Sequence, residues 1–426
     1  MTTLNVIDDV ACTRCACLCD DLRVTVKDNR IVRADGACYL AEKWFADQNT
    51  VSPPPAMIND KPAARETAVA QAAAYLRDAK APLIYGLSRS STEGQRAAVA
   101  LADHLGAIID TTASQGHAAS ILAVQQSGES TCSLGEVAYR ADLVIFWGVN
   151  PVKSHPRHLE RYSRDPHNER FLPGGAKDRT IVVVDPEATE TATLPGVQHI
   201  PIRSGTDFEA LWTLRALLKG IEPHVTTDTG IALADWKTLA EKMKSCRCGV
   251  IFFGYGVARQ PLGNRIVEAI LELTIDLNAF TRFHARRMRT VGDVSGADNV
   301  LCWQTGFPFS VNLNRGYPRY SAGEYSANET LANGEADVAL LVGSDRIRDF
   351  DPKAKEHLKR IPTILLDNPL ATPVWSPTIR FQTAVYGIHH SGTAYRMDDI
   401  PIPLRPSLTT DLPTDGEILR AIHAHL

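Results

Sequence analysis

The chain has 426 residues, a formal net charge of −4 and 44% hydrophobic residues, a composition typical of folded proteins that excludes intrinsic disorder as its main state. One hydrophobic core rarely organises a chain of this length, so we expect two or more domains. The slight net acidity and the lack of a long basic run argue against nucleic acid as a partner.

The first predicted unit is a small cysteine-rich cap over residues 1–55. Leu22–Lys27 alternates apolar and polar residues and predicts a half-buried strand, with a turn at Asp28 and Asn29 and a returning strand at 31–34. The proline-rich run 52–55 predicts a stiff linker that ends the cap.

Beyond the linker, strands and helices alternate. This alternation predicts an α/β fold with doubly wound parallel sheets covered by helices on both faces. We divide this part into a discontinuous α/β domain (56–112 and 246–400), an inserted Rossmann-like domain (113–245) and a C-terminal tail with a helix (401–426). The predicted strands are 81–86, 107–110, 141–148, 180–185, 199–202, 248–254, 338–343 and 362–366, and the predicted helices include 67–79, 92–105, 208–218 and 262–276.

Cysteines concentrate near the N-terminus. No signal peptide and no membrane-spanning apolar run is visible, so we expect a cytoplasmic protein whose thiols stay reduced and favour metals over disulfides. Cys12, Cys15, Cys19 and Cys38 can close around one metal site, with Cys17 as a spare thiol. Thiolate sulfur suits iron, and the spacing suits a [4Fe–4S] cluster. Zinc and four free thiols are the alternatives.

Longer motifs then resemble a known family. The loops 147–151 and 185–192 follow predicted strands, as in the large subunits of molybdenum or tungsten bis-pterin oxidoreductases. In detail the chain is similar to the B subunit of formylmethanofuran dehydrogenase, through segments 12–21, 135–163, 305–324 and 387–403. The resemblance implies a cysteine-rich cap followed by interleaved α/β domains. Since the sequence ends at Leu426, we expect no C-terminal β-barrel domain.

The resemblance also implies what the loops face. In this family the strand-end loops meet the guanine dinucleotides of the pterins, which assigns Gly148, Asn150, Pro151, Asp185 and Thr189 to pterin-binding loops. In methanogens the family's complex reduces CO2 to a formyl group on methanofuran. In methylotrophic bacteria a related formyltransferase/hydrolase complex releases formate from a methanofuran analogue.

The pattern breaks at the expected metal ligand. The family has a Cys or selenocysteine directly before His117, but this sequence has Gly116, which carries no side chain to bind a metal. The family also has a Lys shortly after the fourth cysteine. Here the residues just after Cys38 offer no cation, and we expect Lys43 to lie too far away.

We therefore expect a vestigial pocket at Gly116 and His117, vestigial pterin loops, no catalytic residue and no tungsten or molybdenum bis-pterin centre. The expected function is that of a non-redox B subunit in a formyltransferase/hydrolase complex that converts formyl-tetrahydromethanopterin to formate through a methanofuran-type carrier. Its partners would be the other three components of such a complex, which would bind the carrier: a zinc-dependent hydrolase (the A component), a C component and a formyltransferase (the D component).

Two other functions stay open. One is an active tungsten or molybdenum formylmethanofuran dehydrogenase subunit, and the other is a stand-alone iron–sulfur electron carrier. Two further motifs receive structural interpretations: His155 and His158 as a hydrogen-bonding corner rather than a two-histidine metal site, and the basic run 286–289 as a solvated or salt-bridged face rather than a site for an anionic partner.

Overall fold

The computed structural model describes residues 4–48, 54–224, 228–290 and 292–426, so residues 52 and 53 of the predicted linker lie outside it. The chain divides into two compact units. Unit 1 comprises Met1–Gln115 and Val291–Leu426, and unit 2 comprises Gly116–Thr290. None of the described helices is long and apolar enough to span a lipid bilayer.

Unit 1 contains the predicted cap and a large mixed sheet. In the cap, an antiparallel sheet joins Leu4–Val10, Leu22–Lys27 and Arg30–Asp35, with the predicted hairpin between the last two strands. Asp28 and Asn29 both take positive φ (51° and 57°), which the tight hairpin turn requires.

The large sheet of unit 1 has a parallel centre and antiparallel edges. Among the described residues its order is Arg319–Tyr320, Val311–Asn312, Ile108–Thr111, Pro82–Gly86, Val338–Val342, Thr363–Asp367, Ile379–Gln382, Ala56–Ile58 and Lys61–Pro62. The five strands from Ile108–Thr111 to Ile379–Gln382 run parallel. A separate hairpin pairs Gly392–Tyr395 with Pro401–Leu404.

Unit 2 is built on a wholly parallel sheet. Its order is Val197–Ile200, Thr180–Val184, Leu143–Trp147, Cys248–Phe253 and Arg282–Arg287. The central strands are apolar on both faces because helices cover both. All side chains of Leu143–Trp147 and Cys248–Phe253 are buried, which matches their uninterrupted apolar sequence.

Helices connect and cover these sheets. In unit 1 they are Tyr39–Asp47, Arg65–Asp78, Thr92–Leu105, Val294–Thr305, Ala327–Ala332, Pro352–Leu358 and Asp415–Ala424, and in unit 2 they are Ala118–Ser127, Leu134–Arg140, Pro151–Ser154, Asp207–Leu218, Leu233–Ser245, Tyr255–Ala258 and Gly263–Leu277. The short helix Ala113–Gly116 spans the boundary along the chain. Shorter non-α helical turns cover Leu159–Ser163, Gly175–Asp178 and Ile347–Asp349.

The sequence-based division is finer than these units, because it separated the cap and the C-terminal tail, which both lie in unit 1. The largest difference is at one boundary. The division placed residues 246–290 in the discontinuous domain, whereas Cys248–Phe253 pairs with Leu143–Trp147 in the sheet of unit 2. The edge strand Arg282–Arg287 was not predicted, because four of its six residues are Arg or His and an apolar run is absent. Backbone pairing with Cys248–Phe253 therefore makes Arg282–Arg287 a strand and extends unit 2 to include it.

Candidate functional site

The four candidate cluster cysteines come together in unit 1. Cys12, Cys15 and Cys19 lie on one loop, closed by a hydrogen bond that the Cys12 amide donates to the Cys19 carbonyl at 2.8 Å. Burial raises the pKa of the Cys12 thiol, and the nearby thiols of Cys15, Cys19 and Cys38 raise it further. The thiols of Cys15, Cys19 and Cys38 thus lie close enough to Cys12 to act on it, and the four cysteines stay a candidate ligand set.

Within the part of the chain that the structure describes, no three His, Cys, Asp or Glu side chains are arranged to hold a single metal ion. The assignment of an iron–sulfur cluster to these cysteines therefore rests on their spacing in the sequence.

Local contacts also shift the pKa values of Cys38 and Cys17, both upward overall. Cys38 directly precedes helix Tyr39–Asp47; burial raises the pKa of its thiol, while the backbone N–H groups of Ala41 and Leu40 lower it. The predicted spare, Cys17, is hydrogen-bonded to the thiols of Cys15 and Cys19, and these contacts and burial raise its pKa.

A cavity of about 480 Å³ lies beside this loop in unit 1. It opens at the carboxyl ends of the neighbouring strands Val338–Val342 and Thr363–Asp367, where parallel α/β sheets bind ligands. Arg14 of the cysteine loop and residues of helix Tyr39–Asp47 line it. Its charged lining residues are the cations Arg14, Lys43, Arg89 and Arg348 and the carboxylates Asp47, Asp345 and Asp367.

Arg89 is the most enclosed cation of this cavity. It donates a hydrogen bond to Asp345 at 2.8 Å, and its guanidinium lies 5.6 Å from the ring centre of Trp44. Burial alone would lower the pKa of Arg89, but Asp345 and the nearby Tyr386 raise it above its ordinary value, so the side chain stays charged. Nη1 of Arg89 and Nε1 of Trp44 are buried without a hydrogen-bond partner among the described residues.

Arg89 and Trp44 both line the cavity. If their N–H groups turned toward a bound ligand, they would donate to phosphate or carbonyl oxygens. The carboxylates Asp345 and Asp367 can accept hydrogen bonds from the ring N–H groups of a purine or pterin. Lys43, which we expected to be too remote, lines the same cavity, although its ammonium pairs with Asp47 at 2.9 Å.

In unit 2, the predicted pterin-loop residues lie at the carboxyl ends of the adjacent strands Leu143–Trp147 and Thr180–Val184. Gly148 has φ +58° and accepts a hydrogen bond from the Gly256 amide at 3.0 Å. The two backbones approach so closely that a β-carbon on Gly256 would lie 2.4 Å from the Gly148 oxygen. This turn therefore requires glycine at both positions.

The side chains of these loops mostly bind one another. Asn150 contacts Glu190 and accepts a hydrogen bond from the Thr191 hydroxyl at 2.7 Å. Pro151 begins the short helix Pro151–Ser154, and the Thr189 hydroxyl accepts a weak hydrogen bond at 3.3 Å from a later amide of its loop. Burial raises the pKa of the Asp185 carboxyl, which accepts a backbone hydrogen bond at 3.0 Å.

Gly116 faces Tyr255, a residue that sequence reasoning missed. A β-carbon on Gly116 would lie 2.8 Å from the Tyr255 hydroxyl and 3.3 Å from the ring carbon Cε1. Tyr255 follows strand Cys248–Phe253 at the same carboxyl edge as Gly148. The available signal was the Gly-Tyr-Gly turn after a buried strand, which places an aromatic side chain at that edge.

Several neighbours hold the Tyr255 ring in place. The ring of His117 stacks on it, with centres 4.9 Å apart and planes 30° apart. The Arg259 guanidinium lies 4.2 Å from the ring centre, and the Thr290 hydroxyl donates a hydrogen bond to the Tyr255 oxygen at 3.0 Å. The space that a side chain at position 116 would need is therefore filled by a fixed phenol.

The two histidines of the 155–158 corner are buried. His155 Nε2 donates to the Arg289 carbonyl at 2.6 Å and its Nδ1 accepts from the Ser154 hydroxyl at 2.9 Å. Burial lowers the pKa of His155 to about 4 and that of His158 to about 3. His158 packs against Phe252, 4.7 Å between ring centres. These contacts agree with a hydrogen-bonding corner built from neutral imidazoles.

Of the two interpretations of the basic run, a solvated face is wrong for Arg286 and Arg289, whereas a salt bridge is present at Arg287. Arg286 and Arg289 are buried, with only 2% and 4% of their surface exposed. Arg286 donates to the Thr131 hydroxyl at 2.6 Å, and Arg287 pairs with Glu129 at 3.3 Å. These arginines lie in or just after the edge strand of unit 2, and its pairing, which the sequence did not reveal, carries them into the interior.

Comparison with known proteins assigns the family. No protein-family model matches the chain. The B subunit of the tungsten-containing formylmethanofuran dehydrogenase 2 of Methanocaldococcus jannaschii is 39% identical over 98% of both chains, and that of Methanococcus maripaludis is 36% identical over 98% of both. The chain therefore belongs to the family of formylmethanofuran dehydrogenase B subunits, and the predicted family resemblance is confirmed.

Other relatives are more distant. The B subunit of the formyltransferase/hydrolase complex of Methylorubrum extorquens is 26% identical over 66% of this chain and 72% of its own. A chain of that complex, solved with methylofuran, superposes with a TM-score of 0.71 at 23% identity, covering 87% of this chain and 98% of its own. Acetylene hydratase from Pelobacter acetylenicus gives 0.68 at 10% identity, covering 98% and 69%. These two structures show the α/β fold.

These findings overturn the expected function. The interpretation as a non-redox component of a formyltransferase/hydrolase complex is wrong, because the relatives that match nearly the whole chain at 36–39% identity are tungsten-containing dehydrogenase subunits. The expected absence of a tungsten or molybdenum bis-pterin centre has no support from them either. The residue at the single position 116 therefore indicates the function less reliably than the sequence of the whole chain does.

Proposed function

We propose that this chain is the B subunit of a formylmethanofuran dehydrogenase, an enzyme that oxidises formylmethanofuran and, in the reverse direction, reduces CO2. The observation that carries the proposal is the 39% identity across 98% of both chains with a tungsten-containing dehydrogenase subunit. Because its relatives are named as subunits of larger enzymes, we propose that the chain works as one part of a larger complex.

The cysteine loop is the proposed site of a [4Fe–4S] cluster, held by Cys12, Cys15, Cys19 and Cys38. The mutual influence of these thiols on the pKa of Cys12 supports that assignment. The backbone N–H groups that begin helix Tyr39–Asp47 would stabilise a thiolate at Cys38.

The residues at the strand ends are suited to a pterin dinucleotide. In the unit 1 cavity, Arg89 and Trp44 would donate hydrogen bonds to phosphate oxygens, and Asp367 would accept them from a guanine. In unit 2, the loops that begin at Gly148 and Asp185 would face a second such group. A tungsten or molybdenum centre so held would supply two-electron exchange with the formyl carbon, and an iron–sulfur cluster would supply the electron path.

The test is to purify the native complex without oxygen and assay one sample three ways. We expect stoichiometric tungsten or molybdenum, about four irons per chain and formylmethanofuran-dependent reduction of a viologen dye. Release of formate without dye reduction, from a complex that contains neither tungsten nor molybdenum, would contradict the proposed function. Omission of formylmethanofuran controls for background reduction of the dye.

A further inference from the structure

The inference concerns Tyr255 and rests on the proposed function. Gly116 cannot ligate a metal, yet the space its side chain would occupy is not empty. The Tyr255 hydroxyl lies 2.8 Å from the place of the missing β-carbon, inside the space that a side chain at position 116 would occupy. We propose that the phenol oxygen of Tyr255 is the protein ligand that this chain offers to tungsten or molybdenum in place of a residue-116 thiolate.

The position of the oxygen is fixed by its own unit. Tyr255 begins the turn after strand Cys248–Phe253, and the close approach of Gly256 to Gly148 sets the direction of that turn. The stacked His117 ring and the Thr290 hydroxyl then hold the phenol against Gly116. A ligand needs this kind of prior positioning, because an unrestrained side chain would lose conformational entropy on binding.

The chemistry of the donor is suitable. A phenolate oxygen is a hard donor that serves as a metal ligand in proteins, as tyrosine does for haem iron in catalase. The Arg259 guanidinium, 4.2 Å from the ring centre, provides a positive charge next to the phenolate. When the bond forms, the phenol proton passes to solvent and an oxygen lone pair binds the metal. No electron is transferred in this step.

The same contact explains why position 116 is a glycine. Even a β-carbon there would press on the Tyr255 oxygen and on the ring carbon Cε1. The small residue and the bulky one are therefore a matched pair, in which one removes a side chain and the other fills its place.

The test uses the native, metal-loaded complex and resonance Raman spectroscopy. We expect tyrosinate ring modes that shift when the protein is grown on ring-deuterated tyrosine. These modes should be lost in Tyr255→Phe and kept in the matched control Tyr139→Phe, which removes the hydroxyl of an exposed tyrosine of unit 2.

The outcomes separate this inference from the proposed function. A wild-type complex that holds the metal and oxidises formylmethanofuran but lacks tyrosinate modes overturns the Tyr255 ligand only. A wild-type complex without tungsten, molybdenum or dye reduction overturns the proposed function and this inference together. The labelled wild-type spectrum decides the case even if Tyr255→Phe fails to fold.

Discussion

The hydroxyl of Tyr255 lies where a side chain on Gly116 would have to begin, 2.8 Å from the position of its β-carbon. The backbone of Gly116 ends an ordinary short helix rather than taking a left-handed conformation. A larger residue at this position is therefore opposed by the Tyr255 side chain and not by backbone strain.

This relationship predicts a coupled pair of substitutions. Gly116→Ala should lower the stability of unit 2 by about 1–3 kcal/mol through overpacking, offset by up to about 1 kcal/mol because alanine favours a helix more than glycine. Combined with Tyr255→Phe, the same change should be milder, since the oxygen that obstructs the methyl group is gone. Urea unfolding of the wild type, the two single variants and the double variant measures the coupling between the two positions. Strictly additive changes in the free energy of unfolding would refute the contact.

A second prediction separates the cluster ligands from the spare thiol. Replacing Cys12, Cys15, Cys19 or Cys38 with serine should remove most iron and acid-labile sulfide from anaerobically purified protein, because each would supply one of four thiolates. Cys17→Ser should keep the iron, as should the remote control Cys302→Ser, which changes an exposed cysteine. Iron that survives all four ligand substitutions would rule out this site.

A third prediction concerns the cavity of unit 1. Arg89→Gln removes the buried charge paired with Asp345 at 2.8 Å and should reduce the guanine nucleotide released from the complex by acid hydrolysis. Quantification of GMP per chain by chromatography measures this. Arg164→Gln, at a partly exposed arginine of unit 2, should leave the content unchanged. Equal GMP in wild type and Arg89→Gln would show that Arg89 holds no nucleotide.

A fourth prediction follows from the buried imidazoles. The folded pKa values of His155 and His158, about 4 and about 3, lie below the ordinary value of 6.5. At pH values between the folded pKa and 6.5, each histidine binds more protons in the unfolded chain than in the folded one. The contribution of these histidines to the free energy of unfolding is therefore complete above pH 6.5 and falls as the pH drops. From pH 7 to pH 5 each histidine should remove about 2 kcal/mol from the free energy of unfolding.

The variant His158→Phe tests the origin of that pH dependence. Phenylalanine fits the aromatic surroundings of His158, which include Phe146 and Phe252, and carries no titrating group. The loss of stability between pH 7 and pH 5 should therefore shrink by about 2 kcal/mol in unfolding experiments at the two pH values. An unchanged pH dependence would mean that His158 does not contribute to it.

The sequence by itself determined the family and most of the regular structure. Leu22–Lys27 and Thr92–Leu105 have the predicted bounds, and the central strand Leu143–Trp147 differs by at most two residues at either end. Alternating or continuous apolar runs and helical periodicity are local properties, so the sequence displays them directly. The spacing of the four N-terminal cysteines likewise indicated one group of thiols.

Only the tertiary structure decided what stands beside Gly116 and which side chains surround the cavity of unit 1. Tyr255 lies 139 positions further along the sequence and reaches Gly116 because parallel pairing places its strand next to Leu143–Trp147. A second parallel pairing, of Arg282–Arg287 with Cys248–Phe253, carries the arginines of the edge strand into the interior. Packing across strands depends on which strands are neighbours, and no local pattern in the chain records that order.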